Sequence, residues 1–387
     1  MHKYRINLDK MFAIYSAILI LFTSYNVFYK LPLSPIFNLL MIILIFITNK
    51  SIEKIDFTFF VLFLIVFIRA SIPHNFNVPI TTLISLLVNG LLISSLFLIK
   101  RDILINIYKI FKIILTFILS VGFIFFILKF IGFDINPLTT YITTTGRYYN
   151  VYPLLVGEFV IDGIRFASIF DEPGFLGTIL AFILVIEEFR LFRLQNLVFF
   201  ISGIFTFSIA FYIICAIGLG YMFRKKLKTF LPIFILIIII GFFLYNKFQP
   251  HFEIFIVNRM MIDDSYTLIG DNRGGVKENI DMFNDIYKSS NFLFGRGISE
   301  AEDLNKINYR IGSSSWGRIL VENGLVFFIY LLALFYFYTK YKNKNYIFLF
   351  LFILSLYQRP QIFNSLFIML FIFANNNMEK NNIKQLS

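Results

Sequence analysis

Three short stretches of the 387-residue chain bring arginines, carboxylates and glycines together in patterns suited to handling an anion. The first is Arg165-Phe166-Ala167-Ser168-Ile169-Phe170-Asp171-Glu172-Pro173-Gly174. Arginine's planar fork can hold two phosphate oxygens at once. Asp171 and Glu172 are carboxylates able to take a proton from a hydroxyl. A local reading is also open, with Pro173 at a first helical position and Asp171 or Glu172 as its cap. The second stretch is Asp271-Asn272-Arg273-Gly274-Gly275, then an amphipathic segment from Val276 to Tyr287, then Phe294-Gly295-Arg296-Gly297. Glycine turns expose backbone N–H groups beside fixed positive charge, which suits an anion. Neither turn has phosphate-loop spacing, and ordinary glycine turns with surface arginines would read the same. The third is Ser313-Ser314-Ser315-Trp316-Gly317-Arg318, followed by Glu322-Asn323-Gly324 inside an apolar run. Arg318 and Glu322 are one helical turn apart and could simply pair. Ionisable residues in a membrane span more often face an interior or a water-filled cavity.

The elements that must position these groups are overwhelmingly apolar. The chain is 58% hydrophobic and 15% charged, against about 45–50% and about 25% in a soluble domain. Apolar runs long enough to span a bilayer, which takes about 17–25 residues, begin near Met11, Leu31, Ile55, Ile80, Ile113 and Gly174. Others begin near Asn196, Ser208, Thr229, Arg318, Tyr346 and Ile362. Charge decides how to divide the stretch from Asn196 to Phe223. Two helices broken near Ser208 put Arg224, Lys225, Lys226 and Lys228 on the same side as Lys3/Arg5/Lys10, Lys50/Lys54, Lys100/Arg101, Arg190/Arg193, Lys340/Lys342/Lys344 and Lys380/Lys384. The positive-inside rule makes that side cytoplasmic.

The reading is an all-α, multi-pass protein of the inner or cytoplasmic membrane, with about twelve helices and both termini in the cytoplasm. Helices 1–5 occupy residues 1–133, helices 6–9 residues 166–246, and helices 10–12 residues 318–374, before a cytoplasmic tail over 375–387. Two outer segments result, 134–165 and 247–317. The second carries nearly balanced charge and predicts a partly helical, folded mini-domain rather than a disordered linker. The first apolar run lacks a small-residue cleavage site and reads as a signal anchor.

Other classes recede on the same grounds. The net charge of +12 sits mostly in short loops between apolar runs, as a topology signal, so nucleic acid is not an expected partner. The single cysteine, Cys215, excludes a disulfide within the chain, and His2, His74 and His251 have no metal-ligand spacing. No metal and no cofactor are expected. The absence of an internal repeat argues against a transporter built from duplicated halves.

Together, the three stretches resemble the bacterial O-antigen polymerase family and its relative, the O-antigen ligase. The resemblance covers about Tyr148 to Leu332. It rests on Arg165, Ser168, Glu172 and Pro173 entering a middle helix, on Arg273, Gly295 and Gly297 in the large outer loop, and on Glu322, Gly324 and Leu325 in the following helix. It implies a GT-C-like membrane glycosyltransferase of O-antigen lipopolysaccharide, capsule or another surface polysaccharide. Donor and acceptor would be oligosaccharides linked to polyprenyl (undecaprenyl) pyrophosphate, with membrane lipid and a chain-length regulator as further partners. The roles implied are catalytic for Arg165, Glu172, Arg273 and Glu322, and substrate-binding for Asp171, Arg296, Arg318, Ser168 and Trp316. Ligases carry a histidine shortly before the Glu-x-Gly-Leu motif. The stretch from Ser313 to Arg318 has none, which favours the polymerase. A ligase-type transferase and a flippase for the same lipid-linked glycan are the alternatives.

Overall fold

A computed structural model of the chain describes residues 2–22, 34–48, 52–71, 80–142, 148–157, 165–170, 172–224, 292–295, 315–358 and 363–376. These are mostly helical: α1 (His2–Phe22), α2 (Ser34–Thr48), α3 (Lys54–Ser71), α4 (Ile80–Ser95), α5 (Arg101–Phe130), α6 (Pro173–Ile186), α7 (Leu194–Phe205), α8 (Ile209–Phe223), α9 (Ser315–Tyr341), α10 (Tyr346–Gln358) and α11 (Ser365–Asn376). Strands β1 (Thr139–Ile142), β2 (Tyr148–Tyr152) and β3 (Leu155–Gly157) form an antiparallel sheet in that order. The stretch after Asn196 is broken at Thr206–Ser208 into two helices. Arg101–Phe130 and Glu322–Tyr341 are long and apolar enough to cross a membrane, and seven shorter apolar helices accompany them. The expected span near Thr229 and the amphipathic segment Val276–Tyr287 lie outside the described residues.

The chain divides into two compact units. The first comprises Met1–Tyr25, Lys30–Phe111 and Asp271–Ser387, and the second Asn26–Tyr29 and Lys112–Gly270. In the first, an aromatic core joins α3, the 3₁₀ turn after α4, α9 and α11. Phe59 and Phe97 each meet Tyr338 at 5.0 Å, Phe63 meets Phe97 at 5.2 Å, and Phe335 meets Phe371 at 4.8 Å. Aromatic edges and faces of this kind add about 0.5–1.5 kcal/mol each beyond their burial. Polar contacts sort this unit's helix ends. At one end Lys342, just after α9, pairs with Asp56 at 2.7 Å and Glu53 at 3.5 Å, at the start of α3. At the same end Asn376, closing α11, donates to the Tyr338 hydroxyl at 3.0 Å. At the other end Arg69, in the last turn of α3, meets Phe294, and Phe67 packs on Phe363 ahead of α11.

The second unit is built on α6, whose interior is buried from Gly174 to Val185. α8 runs antiparallel to it. A Cβ at Gly177 would stand 2.7 Å from the Cβ of Ser208, and one at Gly218 would stand 2.8 Å from Val185, so small residues set the helix spacing at both ends. Beyond the C-terminus of α6, Glu187 bridges Lys112 at 2.5 Å and Arg193 at 3.0 Å.

Candidate functional site

In the second unit, the site begins with the break between α7 and α8. A helix C-terminus leaves its last carbonyls without helical partners. Here each carbonyl from Ile204 to Phe207 finds a donor. The Tyr212 hydroxyl donates to Ile204 at 2.8 Å, and the Phe166 N–H donates to Phe205 at 2.9 Å. Arg165 supplies the other two: its Nε donates to the Thr206 carbonyl at 2.9 Å and its Nη2 to the Phe207 carbonyl at 3.0 Å. The guanidinium is therefore a fork whose orientation is fixed by two backbone carbonyls.

The segment that carries Arg165 is itself anchored. Phe166 sits among Phe123 and Phe126 of α5 and is fully buried. Ser168 is fully buried with φ +51°, a left-handed conformation uncommon outside glycine. Its hydroxyl donates to the Leu154 carbonyl at 3.1 Å, and its own carbonyl accepts from Val156 of β3 at 2.7 Å. Gly122 of α5 admits this arrangement, because a Cβ there would lie 2.4 Å from the Leu154 carbonyl oxygen. The geometry gives Ser168 a holding role. Glu172 occupies the N-cap position of α6, with Pro173 following, but its carboxylate makes no capping hydrogen bond. The helix is started by the Glu172 carbonyl, which accepts from Phe175 and Leu176 at 3.1 and 3.3 Å.

In the first unit, α9 is interrupted at Gly324, whose φ of 82° and ψ of 172° lie in a region essentially reserved for glycine. The interruption fits around the short segment Phe292–Gly295. The Val326 N–H donates to the Leu293 carbonyl at 3.2 Å. A Cβ at Gly324 would lie 2.4 Å from that same oxygen, and one at Gly295 would lie 2.4 Å from the Glu322 carbonyl oxygen. Two sequence motifs thus close on each other backbone to backbone. Glu322 and Asn323 are buried at the junction, with 8% and 4% exposure.

No protein-family model matches the chain, and no curated protein or solved structure does either. The site therefore rests on its own geometry. Of the residues singled out in sequence, Arg165, Ser168 and Glu172 lie in the second unit, each with its own partners on the segment leading into α6, and Glu322 lies beside Gly295 and Gly324 in the first. Arg318 and Trp316 fall within the first turns of α9, and their side chains lie outside what is described. Asp171, Arg273 and Arg296 also lie outside the described residues.

The structure adds Arg69, which sequence reasoning passed over. Its Nη2 donates to the Phe294 carbonyl at 3.2 Å, one residue from Gly295. A signal was present: Arg69 ends an apolar run at the end opposite Lys54, where the charge rule expects no cation.

Proposed function

We propose that this protein is a multi-pass membrane glycosyltransferase that polymerises lipid-linked oligosaccharide repeat units in surface polysaccharide synthesis. The observation that carries this reading is the closure of Gly295 on Glu322–Gly324, which brings together residues of two of the three motifs behind the resemblance. A membrane setting is supported by the exposed apolar stripe of α5, where Ile113, Phe117 and Ile124 are 58%, 65% and 59% exposed. A patch of that kind is rare on a soluble surface. The direction of the spans is supported by the sorting of helix ends in the first unit. The starts and ends that carry Lys342, Glu53, Asp56 and Asn376 meet at one end, which the charge distribution makes cytoplasmic. Twelve helices with both termini inside remain the topology that accommodates every basic loop.

In the reaction, the bond between the growing glycan's anomeric carbon and its pyrophosphate oxygen breaks. A hydroxyl of the next lipid-linked unit forms the new bond to that carbon, and its proton passes to a carboxylate, Glu172 or Glu322. The polyprenyl pyrophosphate leaves with the bonding electrons. It needs positive charge more than it needs a proton, which is the role proposed for Arg165 and Arg273, with Arg296 and Arg318 in support. No step calls for a metal.

A flippase is the competing reading, because interrupted helices also line transporter sites. Cells lacking the protein decide between the two. Loss of long glycan chains with continued export of single repeat units is the expected result. Lipid-linked units accumulating on the cytoplasmic face would sink the polymerase and favour the flippase.

A further inference from the structure

We propose that Arg69 is an anion-binding residue that grips the pyrophosphate of the polyprenyl-linked glycan beside Gly295 and Gly324. The proposal rests on the function above and adds a residue from the N-terminal third of the chain. α3 has 18 residues, so it rises about 27 Å, at about 1.5 Å per residue, close to the hydrocarbon thickness of about 30 Å. Its first turn carries Asp56, paired with Lys342, and its last turn carries Arg69. On the proposed multi-pass topology, this sets Arg69 at the opposite membrane boundary, where phosphates of a lipid-linked substrate lie.

The surroundings suit an amphiphile. Among the described residues the polar partner of Arg69 is a neutral carbonyl, that of Phe294, so its charge meets no carboxylate there. A positive charge at a membrane boundary without a counter-charge attracts an anion. The same hydrogen bond fixes the guanidinium's orientation, which lowers the ordering cost of binding. Next to it, Leu293 and Phe294 are 48% and 64% exposed. These apolar side chains offer contact to a lipid tail while the cation takes the head. An arginine that merely snorkels to the interface has no need of an oriented bond to the loop that closes on the Gly324 break.

The test is binding of radiolabelled undecaprenyl pyrophosphate to the full chain in nanodiscs of zwitterionic lipid, with undecaprenyl monophosphate as comparison. Arg69→Gln should weaken pyrophosphate binding roughly 10- to 100-fold, since a hydrogen bond to a charged group contributes about 1.5–3 kcal/mol. Arg69→Lys should restore part of it, and the monophosphate should be less affected. Unchanged binding by Arg69→Gln overturns the proposal while leaving the polymerase reading standing. A wild-type protein that binds neither lipid overturns both. Competition by added phosphatidylglycerol would mark a general headgroup contact and also overturn it. Should Arg69→Gln fail to fold, a photoreactive group beside the pyrophosphate decides on the wild-type chain. Labelling of the Arg69 peptide supports the proposal, and labelling elsewhere only defeats it.

Discussion

The two units each interrupt a helix at their candidate residues, and they solve the resulting hydrogen-bonding problem in different ways. Between α7 and α8, side chains complete the break: Arg165 straps two carbonyls and Tyr212 a third. In α9, backbone completes it: Leu293 accepts from Val326, and glycines at 295 and 324 admit the approach. A side-chain strap depends on donors, so another donor can replace part of it. A backbone contact with no room for a Cβ depends on the absence of a side chain, so nothing replaces it. The arginine that looks most catalytic in sequence therefore has a scaffold role visible in the structure. The glycines, which look like loop residues in sequence, set the geometry around a buried carboxylate.

This contrast breaks most sharply at Gly324. Alanine there adopts a glycine-only conformation, at about 1–3 kcal/mol, and drives a methyl against backbone that cannot swing aside, at about 1–3 kcal/mol more. Gly324→Ala should therefore lose roughly 2–6 kcal/mol of stability and, on the proposed function, make no polymer. Thermal melting of the purified protein and the glycan ladder of complemented cells measure both. A normal melt with a normal ladder would show that α9 can straighten, and the backbone half of the comparison would fall.

Arg165→Lys comes next. Lysine keeps the charge but cannot present two donors in one plane, so at least one turn carbonyl loses its partner, at about 1–3 kcal/mol. If the fork also serves the leaving pyrophosphate, polymer should fall by about 10²–10³ in rate, the cost of removing one oriented donor. The ladder must therefore be normalised to folded protein in the membrane. A ladder that falls only in proportion to folded protein would make Arg165 a strap and nothing more.

How far the sequence carries differs between these features for physical reasons. Apolar runs punctuated by basic clusters locate helices well, because burial and charge placement are properties of the run itself. Every expected run within the described residues holds a helix, and the break near Ser208 follows from charge alone. The start of α5 is missed. It begins at Arg101 rather than near Ile113, and Lys112 within it pairs with Glu187, a partner 75 residues away that the spacing does not reveal. The sheet over residues 139–157 is missed too, although Thr139-Thr140-Tyr141-Ile142 and Tyr148-Tyr149-Asn150-Val151-Tyr152 have the β-branched and aromatic content of strands. At the site, the residue types are legible and their partners are not. Nothing in the spacing of Arg165 says that its fork meets Thr206 and Phe207, nor that Gly295 meets Glu322, because both contacts are tertiary.

The smallest expected effect tests whether the strapped turn is redundant. Tyr212 donates to the Ile204 carbonyl at 2.8 Å, but that carbonyl also accepts from the Phe207 N–H at 3.1 Å. Tyr212→Phe keeps the ring and removes the hydroxyl, so no carbonyl is left without a donor. The loss should lie at or below the net worth of one ordinary hydrogen bond, about 0.5–1.5 kcal/mol. It should shift the melting point slightly and leave the ladder unchanged. The measurement is the melting point of Tyr212→Phe beside that of Arg165→Lys under one set of conditions. A shift as large as that of Arg165→Lys would mean that the turn has no reserve and that both donors act as one unit. The distinction between a strap that can be thinned and a glycine contact that cannot would then be lost.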